Sequence, residues 1–142
     1  MKADFNYCYT LRVRFAETDL QAIVFNANYL VYYDTAWTEY FRAVGFPYER
    51  LKALGVDTVL AKTTLEFKAP ARFDELLEIY VRVSRLGNTS MTLDFEIYQQ
   101  GSEALLNSAA SLYVCIDPAT MRPTPVPEAL RESIRVFEEG SS

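Results

Sequence analysis

One stretch of the sequence, residues 29–44, combines a helical period with a high density of aromatic side chains. Its large apolar residues recur at the 3.6-residue spacing of a single helix face. Asn26 or Asn28 is suited to cap the start of this helix, and Gly45 is suited to end it. The face must be buried against a large apolar surface, and it consists of Tyr29, Tyr32, Tyr33, Ala36, Trp37, Tyr40, Phe41 and Val44.

The rest of the chain is dominated by segments in which apolar and polar residues alternate, as in half-buried strands. A turn at Leu86-Gly87-Asn88 predicts that the third and fourth strands form a hairpin. The order β-α-β-β-β-β, closed by a short helix starting at Pro127, favours an α+β fold with an antiparallel sheet around the aromatic helix. Hotdog, cystatin-like and NTF2-like folds all fit this pattern. The predicted strands cover residues 7–15, 58–68, 77–84, 91–98 and 106–116.

The chain contains no histidine. Catalytic triads, Cys-His nucleophile systems and HExxH zinc sites each need an imidazole, so they are excluded within this chain. Its five glycines are scattered, and neither a dinucleotide-binding nor a P-loop motif is present. If the chain is an enzyme, carboxylates, hydroxyls, lysines or backbone amides must do the chemistry, and no metal or cofactor is expected.

The net charge of -5 argues against nonspecific nucleic-acid binding. No signal peptide and no apolar run long enough to span a bilayer are found, so we expect no membrane partner and a cytoplasmic location. At 142 residues the chain is expected to form one domain, 1–142. Cys8 and Cys115 lack CxxC spacing and are interpreted as small apolar residues in a reducing compartment.

The segment from Arg14 to Tyr29, RFAETDLQAIVFNANY, resembles the signature of the 4-hydroxybenzoyl-CoA thioesterase family of hotdog proteins. The likeness continues through the helix and through residues 67–75 and 85–90. It implies a hotdog fold, with a five-stranded antiparallel sheet of order 1-3-4-5-2 around one long central helix. Strands one and five are then not neighbours, so Cys8 and Cys115 should not bridge. The resemblance further implies homodimers through the second strand, often dimers of dimers, with acyl-CoA bound between subunits.

By this resemblance, Asp19 is the catalytic carboxylate, acting as a nucleophile or as a base for water. The N–H groups of Asn26 and Ala27, at the positive end of the helix dipole, are expected to polarise the thioester carbonyl. The acyl group would run beside Tyr29, Tyr32 and Tyr33. Two positions depart from the family pattern: Ala22 replaces a glycine, which would strain the loop if φ is positive, and Asn26 replaces a histidine or tyrosine.

For the phosphates of CoA, the expected contacts are Lys62, Lys68, Arg72 and Arg85, with Ser90 in the same segment as Arg85. The resulting prediction is an acyl-CoA thioesterase acting on a small aromatic or aliphatic acyl group. Two alternatives stay open. One is a thioesterase for acyl carrier protein, and the other is a non-catalytic acyl-CoA-binding protein of the same fold, as the two departures would allow.

Overall fold

A computed structural model describes residues 1–140 as an antiparallel sheet curled around one long helix, α1. The strands lie side by side in the order β1-β3-β4-β5-β2, and a short β6 pairs with β5. The predicted hotdog fold and strand order are thus confirmed. The elements in chain order are β1 (Cys8–Arg12), α1 (Asn28–Val44), α2 (Tyr48–Ala53), β2 (Asp57–Phe67), β3 (Leu76–Leu86), β4 (Ser90–Gln99), β5 (Leu105–Asp117), β6 (Arg122–Pro123) and α3 (Glu128–Glu139).

The aromatic face of α1 forms the centre of the core. The helix ends where Gly45 adopts a left-handed conformation, with a φ of 86°, and its N–H bonds back to the carbonyl of Arg42. Of the predicted face, only Trp37 and Val44 are partly exposed. The fully buried members are Tyr29, Tyr32, Tyr33, Ala36, Tyr40 and Phe41.

Burial alternates along β3, β4 and much of β5, as the sequence pattern predicts, because one face of these strands packs on α1. Strand β2 does not follow this alternation. Its register on β5 shifts between Leu60 and Lys62, and it is the last strand at its side of the sheet. Residues predicted to be buried, such as Ala61 and Phe67, are therefore exposed.

The predicted C-terminal helix forms as α3, with Leu130 and Ile134 buried and the Phe137 ring against Tyr40. The short strand β6 carried no sequence signal. Cys8 and Cys115 lie on strands separated by β3 and β4, and both are free, as predicted. Within residues 1–140, no helix has the length and apolar character needed to cross a membrane.

Candidate active site

Asp19 begins a tight turn in the loop between β1 and α1. Its N–H donates to the carbonyl of Ile23 at 3.0 Å, and its own carbonyl accepts from the N–H of Ala22 at 2.9 Å. The N–H of Gln21 donates to Asp19 Oδ1 at 2.8 Å, which fixes the carboxylate against its own backbone. Within residues 1–140, the other oxygen, Oδ2, has no hydrogen-bond partner. One oxygen therefore orients the half-buried carboxylate and leaves the second available.

Ala22 closes this turn in the left-handed region, with a φ of 62°. A side chain in that region clashes with the backbone at a cost of about 1–2 kcal/mol, whereas glycine adopts it freely. The strain expected from the alanine at this position is therefore present. The loop keeps the turn that glycine would favour, with a methyl group added.

The start of α1 exposes two backbone donors. The N–H groups of Asn28 and Tyr29 already donate to the carbonyls of Phe25 and Asn26, at 2.9 and 3.3 Å. In the part of the chain that the structure describes, neither the N–H of Asn26 nor that of Ala27 has an acceptor. Both therefore lie at the positive end of a 17-residue helix and remain available to an anion or a polarised carbonyl.

The predicted side-chain cap is wrong. The residue that precedes the helix is Ala27, and neither asparagine caps it. Instead, Asn28 Nδ2 donates to the carbonyl of Glu17 at 2.9 Å, and the same carbonyl accepts the N–H of Phe25 at 2.9 Å. The Asn28 amide thus holds the helix start against the segment that leads to Asp19, a tertiary contact that no local capping rule includes.

Glu17 ties this segment together. Its carboxylate accepts from the N–H of Arg14 at 2.7 Å, from the Arg14 guanidinium at 2.9 Å and from the Tyr32 hydroxyl at 3.0 Å. Burial alone would raise the pKa of Glu17, but these hydrogen bonds outweigh it and hold the pKa below its ordinary value. Burial and the nearby carboxylate raise the pKa of Tyr32, which remains a donor.

Asp19, Asn26 and Tyr29 line one open groove of about 400 Å³ at the start of α1. Tyr29 is buried at its base, where its hydroxyl accepts the N–H of Ala71 at 3.3 Å and its ring meets Phe67 edge-on at 5.5 Å. Several other residues of this groove had no predicted role, although some lie in the segment that carries the resemblance. They are Gln21, Ile23, Val24, Phe25, Phe67, Ala69 and Pro70.

Some of the predicted CoA contacts lie at the groove, and others lie far from it. Lys68 lines the groove, although its ammonium is 2.8 Å from the Glu66 carboxylate. Arg72 is exposed and pairs by its backbone with Ile23 at the rim. Lys62 lies five positions before Phe67 on β2, about 17 Å away at the usual rise of a strand.

Arg85 and Ser90 lie at the β3–β4 hairpin, at the opposite end of the sheet. Asn107, which pairs with Phe67 at the groove, also pairs with Ile97 on β4, and Ser90 lies seven residues before Ile97, about 23 Å along the strand. Within one chain, the structure does not bring Arg85 and Ser90 to the groove.

The sheet curled around α1, with Asp19 and the start of α1 beside one groove, has the architecture of a hotdog protein. A sequence model described as the Thioesterase-like superfamily matches residues 13–134. The acyl-CoA thioester hydrolase YbgC of Escherichia coli is 36% identical over 120 residues, which cover 84% of this chain and 89% of the relative. The chain belongs to the thioesterase-like superfamily of hotdog proteins.

Two solved structures show the same architecture. A Thermus thermophilus protein, TT1821, is 28% identical with a TM-score of 0.84, covering 92% of this chain and 98% of its own. The gentisyl-coenzyme A thioesterase BH1999 is 26% identical with a TM-score of 0.81, covering 90% and 99%. The prediction of a thioester hydrolase is confirmed as an enzyme class. The narrower assignment to the 4-hydroxybenzoyl-CoA thioesterase family stays a prediction.

Proposed function

We propose that this protein hydrolyses acyl-CoA thioesters in the groove between the Asp19 turn and the start of α1. One observation carries the proposal: Asp19, whose carboxylate has a free oxygen, and Asn26, whose N–H has no acceptor among residues 1–140, line the same groove, and the free N–H of Ala27 is on the next residue. Thioester hydrolysis needs a group that attacks or activates water and a site that stabilises the oxyanion. The names of YbgC and of the gentisyl-coenzyme A thioesterase support coenzyme A as the thiol.

The N–H groups of Asn26 and Ala27 are assigned to the oxyanion. A thioester carbonyl placed over the helix start receives hydrogen bonds from both and the field of the helix dipole. These interactions strengthen as negative charge develops on the oxygen, so they stabilise the transition state more than the substrate. Loss of one such donor costs about 3–4 kcal/mol in a well-studied hydrolase.

Asp19 is assigned as the nucleophile or as the general base that activates water. Its Oδ2 either attacks the thioester carbon, giving a mixed anhydride that water then hydrolyses, or removes a proton from the attacking water. In both routes the C–S bond breaks and coenzyme A leaves as a thiolate, which needs little help from an acid. A histidine-free site is therefore sufficient for a thioester. Tyr29 and Phe67 provide the apolar wall beside the acyl group.

The CoA moiety is assigned to the open end of the groove. Lys68 lines the groove and the backbone of Arg72 pairs with Ile23 at its rim, which supports both residues as contacts for phosphate oxygens. Lys62 is further along β2. Arg85 and Ser90 are assigned to the same task only through a second subunit, because they lie at the far end of their own sheet.

We also propose that the protein forms a homodimer through β2, and dimers of dimers from it. Strand β2 is 11 residues long and has a neighbour, β5, on one side only. A long open edge offers unpaired backbone groups to another strand, and pairing two copies satisfies them. Such a pairing also brings a second subunit next to Phe67 and Lys68, which are the β2 end of the groove.

The test is release of free thiol from a panel of acyl-CoAs by the wild-type protein, by Asp19→Asn and by Asp117→Asn. Asp117 is a matched control, because its Oδ1 also accepts the N–H two residues on, at 2.9 Å, but at an exposed site remote from the groove. We expect Asp19→Asn to lose nearly all turnover and Asp117→Asn to keep it. Full turnover in Asp19→Asn would refute the role of this carboxylate.

The same panel separates the two alternatives. A strong preference for thioesters of acyl carrier protein over CoA esters would identify a carrier-protein thioesterase. Tight binding of acyl-CoA without thiol release would identify a non-catalytic binder, in which the strained Ala22 turn narrows the approach to Asp19.

A further inference from the structure

The backbone on both sides of the Asp19 turn forms a small hairpin, residues 17–25, which we call the Asp19 hairpin. Its arms are joined by the N–H of Phe25, which donates to the carbonyl of Glu17 at 2.9 Å. They are joined again by the N–H of Asp19, which donates to the carbonyl of Ile23 at 3.0 Å. The turn is therefore fixed to its two arms, and the position of the carboxylate depends on where those arms are held.

Both arms of the Asp19 hairpin are held by the first turn of α1. The second arm is held indirectly, because the N–H of Val24 donates to the carbonyl of Ala71 at 2.9 Å. The N–H of Ala71 in turn donates to the Tyr29 hydroxyl at 3.3 Å. The first arm is held directly, because Asn28 Nδ2 donates to the carbonyl of Glu17 at 2.9 Å. Asn28 thus provides the shorter of the two connections between the hairpin and the helix.

The Asn28 connection joins the two groups that the proposed reaction needs. Glu17 is two residues before Asp19. The residues immediately before Asn28 are Asn26 and Ala27, whose N–H groups have no acceptor within residues 1–140. In the part of the chain that the structure describes, no other hydrogen bond runs from α1 to the backbone of residues 17–19. One side-chain amide therefore sets how far the carboxylate lies from the oxyanion donors.

The separation between these groups has a direct effect on rate. Reacting groups must be held within about 0.5 Å of their productive positions, and an error of about 1 Å can cost roughly 100-fold. Without the Asn28 bond, the covalent link from Asp19 to Asn26 runs through residues 20–25, which include the strained turn. The Tyr32 hydroxyl contacts only the end of the Glu17 side chain, at 3.0 Å, so it controls the backbone less directly.

Two features of Asn28 separate this task from substrate binding and from folding. Asn28 lies outside the lining of the groove, so it does not contact the proposed position of the acyl group. The Glu17 carbonyl also accepts the N–H of Phe25, so removal of the Asn28 amide leaves that carbonyl with a partner. The loss of this amide should therefore disturb the geometry of the site more than it disturbs substrate affinity or stability.

We propose that Asn28 is a positioning residue for thioester hydrolysis, whose side-chain amide fixes the distance from the Asp19 carboxylate to the N–H groups of Asn26 and Ala27. This inference rests on the proposed thioesterase function, and Asn28 acts only through these groups. Their mutual geometry is needed chiefly in the transition state, so Asn28 contributes to kcat and little to KM.

The test measures kcat and KM of wild type and Asn28→Ala for the acyl-CoA that wild type hydrolyses best in the thiol-release panel. Asn28→Ala should lower kcat by about 10- to 100-fold and change KM by less than about twofold. Its unfolding temperature should fall by no more than about 5 °C, because alanine favours the helix and only one partly exposed hydrogen bond is lost. When Asn28→Ala is added to the Asp19→Asn variant, the Kd of the same acyl-CoA should change by less than about twofold.

Two further variants separate positioning from a general loss of contacts. Asn28→Gln keeps the amide on a side chain one methylene longer, and its kcat should be at least about threefold above that of Asn28→Ala. Asn6→Ala is the matched control, since Asn6 Nδ2 also donates to a backbone carbonyl of another element, that of Glu138 at 3.0 Å. Glu138 also accepts the hydroxyl of Tyr40, which is about 18 Å beyond Asn28 along α1. Asn6→Ala should therefore keep the wild-type kcat.

These results separate the inference from the function on which it rests. Wild-type kcat in Asn28→Ala, a loss confined to KM, or an equal loss of kcat in Asn6→Ala overturns the inference and leaves the thioesterase function intact. A kcat loss that Asn28→Gln does not reduce also overturns it, because the amide is then not the active group. Failure of Asn28→Ala to fold overturns it too, since the bond is then required for the fold as a whole. If the wild-type protein releases no thiol from any acyl-CoA, the proposed function fails and the inference fails with it.

Discussion

Replacing Glu17 by glutamine should loosen the segment that carries Asp19. Glu17 is 12% exposed, and its carboxylate holds the Arg14 N–H, the Arg14 guanidinium and the Tyr32 hydroxyl. Glutamine has the same shape, but it keeps one acceptor oxygen and turns an NH₂ group toward the guanidinium. The substitution therefore removes a charge and part of the hydrogen bonding with little change in packing.

The size of the effect follows from exposure. Hydrogen bonds to a charged group contribute about 1.5–3 kcal/mol when they are buried. The Arg14 side chain is 77% exposed, so its ion pair contributes only about 0–1 kcal/mol. The hydrogen bonds from the Arg14 N–H and the Tyr32 hydroxyl are less exposed to water, but the remaining oxygen of glutamine keeps part of them. We expect a loss of about 1–2 kcal/mol in the free energy of unfolding at neutral pH.

The effect should depend on pH in a defined direction. The pKa of Glu17 is lower in the folded protein than in the unfolded chain, so the folded state binds this proton less readily. The stabilisation is complete above the ordinary glutamate pKa and disappears as pH falls through the lower folded pKa. The difference between wild type and Glu17→Gln should therefore shrink steadily at acidic pH.

Urea unfolding at neutral pH and at several acidic pH values measures this difference. Glu49→Gln is the control, because Glu49 is exposed and forms no hydrogen bond or ion pair by its side chain within residues 1–140. It should change stability little at any pH. A Glu17→Gln effect that equals the control at neutral pH, or that stays constant as pH falls, would refute the reasoning.

Three other results are expected. Ala22→Gly should stabilise the protein by about 0.5–1 kcal/mol, because relief of the positive φ exceeds the added chain entropy, and an unchanged or lower unfolding temperature would contradict this. Burial raises the pKa of the Cys115 thiol to about 11, so a thiol reagent at mildly alkaline pH should modify it only when the protein unfolds. Sedimentation equilibrium should give two or four times the 16.2 kDa of one chain. The substitutions Ala61→Glu and Thr64→Glu on β2 should reduce that mass, because like charges on two paired edge strands repel each other. A wild-type mass equal to that of one chain would exclude the dimer.

Much of the fold was predictable from local sequence, because burial on one side imposes a period on the residues. The aromatic face of α1 and the alternation in β3 and β4 both follow from packing against the same core. The alternation gave a wrong prediction at β2, where Ala61 and Phe67 are exposed. An edge position and a bulge between Leu60 and Lys62 remove the burial that the alternation implied.

The site was predictable only in part. Asp19, Asn26 and Tyr29 were identified through the resemblance, and the structure places them in one groove. The role of Asn28 was not predictable, because its amide bonds the Glu17 carbonyl 11 residues away instead of capping its own helix. Arg85 and Ser90 belong to the same recognisable sequence segment, yet the length of β3 separates them from the groove.

The sequence by itself limited the kind of chemistry available, since a chain without histidine must rely on carboxylates, hydroxyls, lysines or backbone amides. It also determined the central helix and most strands, because periodicity is a local property that a folded core enforces. Only the tertiary structure decided which amides at the helix start lack partners and which side chains share the groove. It alone brought the Tyr33 hydroxyl to the Asn107 side chain, since these relations depend on strand order, register and the direction of α1 across the sheet.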